Sequence, residues 1–201
     1  MESFIDEMAN AAGRDPLEFR LSLLRNNPRL RRLLETVAEK AGWGKSPKTG
    51  QALGIAQHFC FGSYVAQVAE VSVNRQNGQI KVHRVVCAVD CGSVINPDTV
   101  KAQMEGGIIM GLSAALKEKV EFADGGVRSS NLHTYEVLRM HEAPEIEVHI
   151  VVSNDKLGGI GEPGVPPIAP AVANAVFKAT GVRLRHLPMN PETVISALKK
   201  G

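Results

Sequence analysis

Tyr64-Val-Ala-Gln-Val-Ala-Glu-Val-Ser-Val-Asn74 and Gln79-Ile-Lys-Val-His-Arg-Val-Val-Cys-Ala-Val-Asp90 are two β-rich runs separated only by Arg75-Gln-Asn-Gly78. Both are dense in β-branched residues, which suit a pleated, half-buried surface. Asn77-Gly78 is a strong hairpin signal, because both positions tolerate positive φ. Residues 52–61 share the composition and supply a further strand. Helical patterns are segregated around these hairpin strands, which predicts an α+β architecture in two layers, with a mixed sheet and packed helices.

Upstream, Phe4, Ile5, Met8, Ala11 and Ala12 recur at helical spacing, with Gly13 as a stop. Asp15-Pro16 caps a second helix whose apolar positions are Leu17, Phe19, Leu21 and Leu24. A third runs from Pro28 to Ala41, is ended by Gly42, and is followed by a polar loop from Gly44 to Gly50. Residues 1–50 therefore read as an N-terminal helical segment and 51–201 as an α+β domain.

Downstream, Asn96-Pro97-Asp98 is a helix start with a capping side chain, a proline first and an acid in the first turn. The helix is expected to reach Lys117. Gly106-Gly107 and Gly111 lower its propensity and point to another backbone or a ligand passing close by. Strands are expected near 119–122 and 145–153, around an irregular stretch holding Asn131, His133, Tyr135 and Arg139. An alanine-rich helix from Pro166 to Thr180, ended by Gly181, a short strand Val182–Leu187 and a last helix from Pro191 complete the pattern.

The composition excludes several function classes. A hydrophobic share of 44% and a charged share of 22% are ordinary for a globular protein. The net charge of +2 gives no electrostatic reason to expect nucleic acid, and the basic cluster Arg25–Arg32 reads as a solvated helix face. No apolar run approaches the roughly 18 residues of a membrane span. The first residues, MESFIDEMAN, are acidic and amphipathic, unlike a signal peptide, so a cytoplasmic location is expected, or a periplasmic one if a signal lies on a missing part or a partner. Cys60, Cys87 and Cys91 are too few and too odd for a disulfide framework. An iron–sulfur cluster or a zinc site needs more ligands than this C-x3-C pair offers. No protein metal ligand is assigned.

The most informative stretch is Gly158-Gly-Ile-Gly-Glu-Pro-Gly164. Glycines ahead of a single acid let the backbone approach a ligand closely, and their amides can form an anion-binding concavity beside the positive end of the following helix. Pro163 stiffens the presentation of Glu162. Beside Ile160, Val165 and Ile168, that carboxylate can have a raised pKa and act as a general base. The same residues also make a plain glycine turn entering a helix with Glu162 exposed at its start. The spacing is neither a Rossmann fingerprint nor a P-loop.

The wider pattern weighs between those two. The blocks ESFIDEMANAAGRDPLEFRLSLL (2–24), VDCGSVINPDTVKAQMEGGIIMGLSAAL (89–116), EVLRMHEAPEIEVHIV (136–151) and GGIGEPGVPPIAPAVANAVFKATG (158–181), in this order, resemble the molybdopterin-binding large subunit of the xanthine dehydrogenase and aldehyde oxidase family. The likeness is greatest to its isoquinoline 1-oxidoreductase-type bacterial members. It implies a molybdenum-cofactor-binding-domain-like fold over 51–201, with Glu162 as the catalytic base. It also implies that Gly158, Gly159 and Gly161 lie along the cofactor, and that Gln103 hydrogen-bonds the pterin, with Gly106 and Gly107 allowing close approach. An amide offers both donor and acceptor, which suits a heterocycle edge. Glu105, Asp90, Asn96 and Glu142 are expected to be structural, and His58, His83, His133 and His149 are left unassigned.

The implied reaction is oxidative hydroxylation of an aldehyde or an N-heterocycle with water. The implied cofactor is molybdenum–molybdopterin in its cytosine dinucleotide form, with iron–sulfur clusters on a partner subunit. Large subunits of this family are several times longer, so the fold is expected to be incomplete relative to them, and the remainder of the large subunit is an expected partner. A fragment, a split subunit or a remnant all fit, and the chain alone is expected to be inactive and prone to self-association. The rival reading is a non-catalytic binding or assembly module that kept the fold.

Overall fold

The computed structural model describes residues 1–200. Three helices, α1 (Glu2–Ala11), α2 (Pro16–Leu23) and α3 (Pro28–Ala41), precede three long strands, β1 (Gln51–Cys60), β2 (Ser63–Val73) and β3 (Ile80–Asp90). Then follow α4 (Pro97–Leu116), a two-residue ladder of β4 (Phe122–Ala123) with β5 (Gly126–Val127), a 3-10 turn Met140–Glu142, β6 (Glu145–Ile150), α5 (Ile168–Thr180) and α6 (Pro191–Leu198). Each of α2, α3, α4 and α6 starts with an Asp or Asn side chain accepting from first-turn amides, followed by proline. The helices α3 and α5 end on Gly42 and Gly181 in the left-handed conformation, which glycine adopts without a Cβ penalty.

The main sheet has the order β1-β2-β3-β6. Its first three strands are antiparallel, and β6 joins β3 in parallel, making the sheet mixed as expected. Along β2, successive residues serve opposite cores. Val65, Ala69 and Val71 pack with Met104, Ile108 and Leu112 of α4 and with Ile168, Val172 and Ala175 of α5. Ala66 and Val68 pack with Leu30, Leu33, Leu34 and Val37 of α3. The α+β class stands, with helices on both faces of the sheet, one helical layer more than the two-layer expectation. Two-sided burial explains why β2 and β3 read as near-continuous apolar runs instead of alternating ones.

The hairpin expected at Asn77-Gly78 forms, β2 pairing antiparallel with β3, although of those two residues only Gly78 takes positive φ. Asn74 organises the loop, its side chain accepting from Gln76 N and Asn77 N and its carbonyl from Gly78 N. Two local expectations are corrected. Near 119–122, only Phe122 enters a ladder. Val182–Leu187 forms no strand; Arg183 and Arg185 instead tie it to Asp6 and Glu7 of α1. Among the described residues, no helix is long and apolar enough to cross a membrane.

Candidate functional site

The glycine loop is built onto the β1–β2 hairpin. Phe61 and Gly62, with φ of 53° and 79°, close that hairpin as a two-residue turn between the paired Cys60 and Ser63. Phe61 O accepts from Gly159 N at 2.7 Å, and Ser63 Oγ donates to Gly159 O at 2.7 Å. Gly158 N donates to Cys91 O at 2.9 Å. A Cβ on Gly158 would overlap Ser63 Oγ, and one on Gly159 would lie 2.9 Å from Phe61 Cβ. The glycine requirement at 158 and 159 is thus met by the protein's own backbone, and neither amide is free for an anion.

The loop's other end rests on α4. Gln67 Nε2 donates to Gly164 O at 2.8 Å. A Cβ on Gly164 would stand 3.0 Å from Met104 O, and one on Gly107 would stand 3.3 Å from Gly164 Cα. Gly111 faces Val165 and Ile168 as closely. The expected close approach along α4 is therefore backbone on backbone at Gly107, and at Gly111 it is to the Ile168 side chain and the Val165 backbone. Gly106 and Gly161 differ, since nothing lies within 4 Å of a Cβ on either. Among the described residues, the amides of Ile160, Gly161 and Glu162 donate to no protein acceptor. Those three are the part of the expected anion concavity that stays available.

Glu162 and Gln103 are both exposed, and neither side chain has a hydrogen-bond partner among the described residues. The apolar shelter expected around Glu162 is not supplied by this chain: Ile160 and Ile168 turn into the core, while the carboxylate faces out. Cys60, at the end of β1, is near enough to sense it. Burial raises the Cys60 thiol pKa, and the negative charge of Glu162 adds to that rise.

Around this surface, sequence reasoning missed Phe61, Ser63, Gln67 and Cys91, which hold the loop. The Phe61-Gly62 pair between two strand-like runs was a readable turn signal. Ser63 and Gln67 carried none, being small or polar residues inside an apolar strand. Asp90, expected to be structural, is buried and bridges Arg29, Ser153 Oγ and Gly92 N. Asn96 caps α4, and Glu142 pairs with Lys117. Glu105 is exposed. No group of three or more His, Cys, Asp or Glu side chains able to hold a metal occurs among the described residues.

Two grooves, of about 1150 and 820 Å³, lie elsewhere. One runs between the start of β3 and the end of α4, the other between α1, the 43–51 loop and α5. Gln103, Gly106, Gly107, Gly158, Gly159, Gly161 and Glu162 line neither. All of these but Gly107 and Gly158 are exposed. The residues fit a molybdopterin group: two glycines leave free space, three amides are unpaired, and Gln103, on the α4 turn that seats Gly164, offers an unpartnered amide side chain.

Comparison with known proteins agrees with this reading of the fold. Residues 18–144 match the model of the molybdopterin cofactor-binding domain. The chain is 45% identical to isoquinoline 1-oxidoreductase subunit beta of Brevundimonas diminuta, over 94% of this chain and 25% of that protein. It is 37% identical to a membrane-bound aldehyde dehydrogenase (pyrroloquinoline-quinone) of Gluconacetobacter polyoxogenes, over 100% of this chain and 28% of the other. The chain thus spans about a quarter of the length of these curated relatives. In fold it is similar to quinoline 2-oxidoreductase of Pseudomonas putida 86, with a TM-score of 0.65 at 23% identity, over 69% of this chain and 19% of that one. The matched family segment includes Gln103, Gly106 and Gly107. The chain belongs to the molybdopterin cofactor-binding domain family.

Proposed function

We propose that this chain forms one wall of the cofactor site in a molybdenum hydroxylase, with Glu162 as the catalytic base and Gln103 as a hydrogen-bonding partner of the pterin. The observation that supports this reading is the seating of Gly164 on Met104 and Gly107, which joins the α4 turn that carries Gln103 to the loop that carries Gly161 and Glu162. Two segments almost sixty residues apart thereby meet. Gly106 and Gly161 would let the group lie against bare backbone. Gly158, Gly159 and Gly107 act one step back, by allowing the loop to dock.

When bound, the molybdenum cofactor would supply the two-electron oxidation and acidify the reacting water. The chain's own part would be to hold the Glu162 carboxylate as the acceptor of that proton. A base within hydrogen-bond reach and aligned is what that step requires. The unpaired amides of residues 160–162 add a fixed positive potential beside it. An exposed Glu162 in the chain alone means that the water-excluding wall comes from elsewhere, in keeping with catalysis only in a larger assembly.

The substrate class is an aldehyde or an N-heterocycle, which the names of the two relatives span. The second relative's name carries a quinone cofactor. The molybdopterin reading rests on the family match over residues 18–144. We take the cytosine dinucleotide form, the iron–sulfur partner subunit and a large subunit completed by further sequence from the resemblance. Exposed Phe59, Phe61, Ile95, Met110 and Leu157 give such a partner apolar surface to cover.

The test is co-expression with the remaining large-subunit sequence in a molybdenum-replete host, followed by metal and pterin analysis of the co-purified complex. Stoichiometric molybdenum in the complex, and essentially none in the 201-residue chain alone, is the expected result. A complex that forms without cofactor would favour an assembly module.

A further inference from the structure

Strand β2 turns Ser63 and Gln67 to the same face of the sheet, four residues and so roughly 13 Å apart. Each holds one end of the loop that carries Glu162. Ser63 Oγ donates to Gly159 O at 2.7 Å, and Gln67 Nε2 donates to Gly164 O at 2.8 Å. Both residues are fully buried, at 0% exposure. Among the described residues, the only hydrogen bond made within 160–165 is Val165 N to Glu162 O, at 2.9 Å. The position of the carboxylate is therefore set by where strand β2 grips residues 159 and 164.

Gln67 is a costly residue for stability alone. It lies on the face that carries Val65 and Ala69, opposite Cys87 in the pairing register. Burying a primary amide is unfavourable unless its groups are matched, and Gln67 Oε1 has no partner among the described residues. A methionine or leucine would fill an apolar core position without that penalty. What the glutamine adds is one directed N–H, aimed at the carbonyl two residues beyond Glu162, beside a weaker contact with the Cys87 thiol across the strand pair.

We propose that Ser63 and Gln67 are positioning residues, which hold the two ends of the glycine loop so that Glu162 is aligned for proton transfer. The inference rests on the reading of Glu162 as the base. It separates residues that touch the reacting atoms from residues that act only through the loop. Gln67 is the sharper of the two, because the hydrogen bond it donates ends at Gly164, two residues from Glu162, whereas Ser63 holds Gly159, three residues away.

The test uses Gln67→Met, nearly isosteric but without a donor, and Gln67→Glu, beside Glu162→Gln as the reference. In the chain itself, hydrogen exchange is expected to quicken at the Val165 amide of Gln67→Met. The Gly159 amide, held by Phe61 O on the other anchor, keeps its protection. In the assembled molybdenum enzyme, substrate-driven reduction of Gln67→Met falls by about 10²-fold, the order associated with a misplacement of roughly 1 Å. KM and cofactor content are retained.

Gln67→Glu rescues the rate on the acid side only. A buried neutral carboxyl keeps an O–H for Gly164 O, and its ionisation at higher pH removes that donor. Gln67→Met reduced at the wild-type rate, with Glu162→Gln slow, overturns the positioning role and leaves the base assignment intact. Parental rates in both overturn the base assignment and this inference with it. Should Gln67→Met not fold, the Gln67→Glu pH profile decides, and a profile matching wild type overturns the proposal.

Discussion

Arg29 on α3 grips both carboxylate oxygens of Asp90 at the end of β3, with Nε to Oδ2 at 3.0 Å and Nη2 to Oδ1 at 2.8 Å. Asp90 is 1% exposed, and it also accepts from Ser153 Oγ and Gly92 N. Burial by itself would raise its pKa. The bonds from Arg29, Ser153 and Gly92 outweigh burial and hold the carboxyl below the usual range. The pair pins α3, the strand end and the approach to the glycine loop at one point.

Asp90→Asn should destabilise the fold by roughly 3 kcal/mol, the low end for breaking a buried pair, because Arg29 keeps Asp155 and some solvent. The sign of the pH effect follows from a folded pKa below the unfolded one. The contribution is present above about pH 4, the unfolded value, and is lost as pH falls through the folded value. Urea melts across that window should show the acid slope in the wild-type chain and a shallower one in Asp90→Asn. Equal slopes would mean that Asp90 titrates normally in the folded state.

Gly106→Ala separates fold from ligand. Nothing lies within 4 Å of a Cβ at this position, and alanine in a helix interior is favoured over glycine by roughly 0.5–1 kcal/mol. The isolated chain should therefore melt at a higher temperature. If the pterin lies across α4 here, the assembled enzyme should lose cofactor. A variant that is more stable and fully loaded would remove Gly106 from the cradle.

Helix ends and strand composition were legible because they are local. Asp15, Asn27, Asn96 and Asn190 cap, and Gly42 and Gly181 stop, through atoms a few residues away. The segment Val182–Leu187 misled because its alternation is strand-like, while its partners, Asp6 and Glu7, lie some 178 residues away in sequence. The glycines of 106–111 and 158–164 announced close approach but not what is approached. For Gly107, Gly158, Gly159 and Gly164 it is the protein's own backbone or side chains. Ser63 and Gln67 were invisible as site residues, since only the fold sets a buried polar group opposite a loop nearly a hundred residues further on.

Thiol labelling should follow burial. Cys87 is fully buried, its pKa is pushed up to about 12 by burial, and Cys91 is buried as well, so both should react only on unfolding. Cys60 is partly exposed and should label in the native chain, though slowly, because burial first and the Glu162 charge second raise its pKa. Glu162→Gln removes the second influence, so Cys60 should label faster in that variant at the same pH. Unchanged labelling would show that the two groups are not in electrostatic contact.

Glu162→Gln in the assembled enzyme tests the chemistry itself. The side chain is exposed in this chain and makes no hydrogen bond among the described residues, so the substitution removes no contact on which the fold depends. The backbone bond from Val165 N to Glu162 O is unaffected by the side chain, and the loop anchors at Gly159 and Gly164 remain. The amide is nearly isosteric and still forms hydrogen bonds, but it cannot accept a proton at neutral pH. Loss of a general base costs about 10²–10⁴-fold in rate, and more where base and metal act as a unit. Cofactor content should be unchanged, and Glu105→Gln, on the exposed side of α4, should reduce at the parental rate. Stopped-flow reduction of the metal centre isolates this step from product release. Parental reduction in Glu162→Gln, with cofactor retained, would leave Glu162 as the exposed start of a glycine turn, and the base would have to be sought on the wall that this chain does not supply.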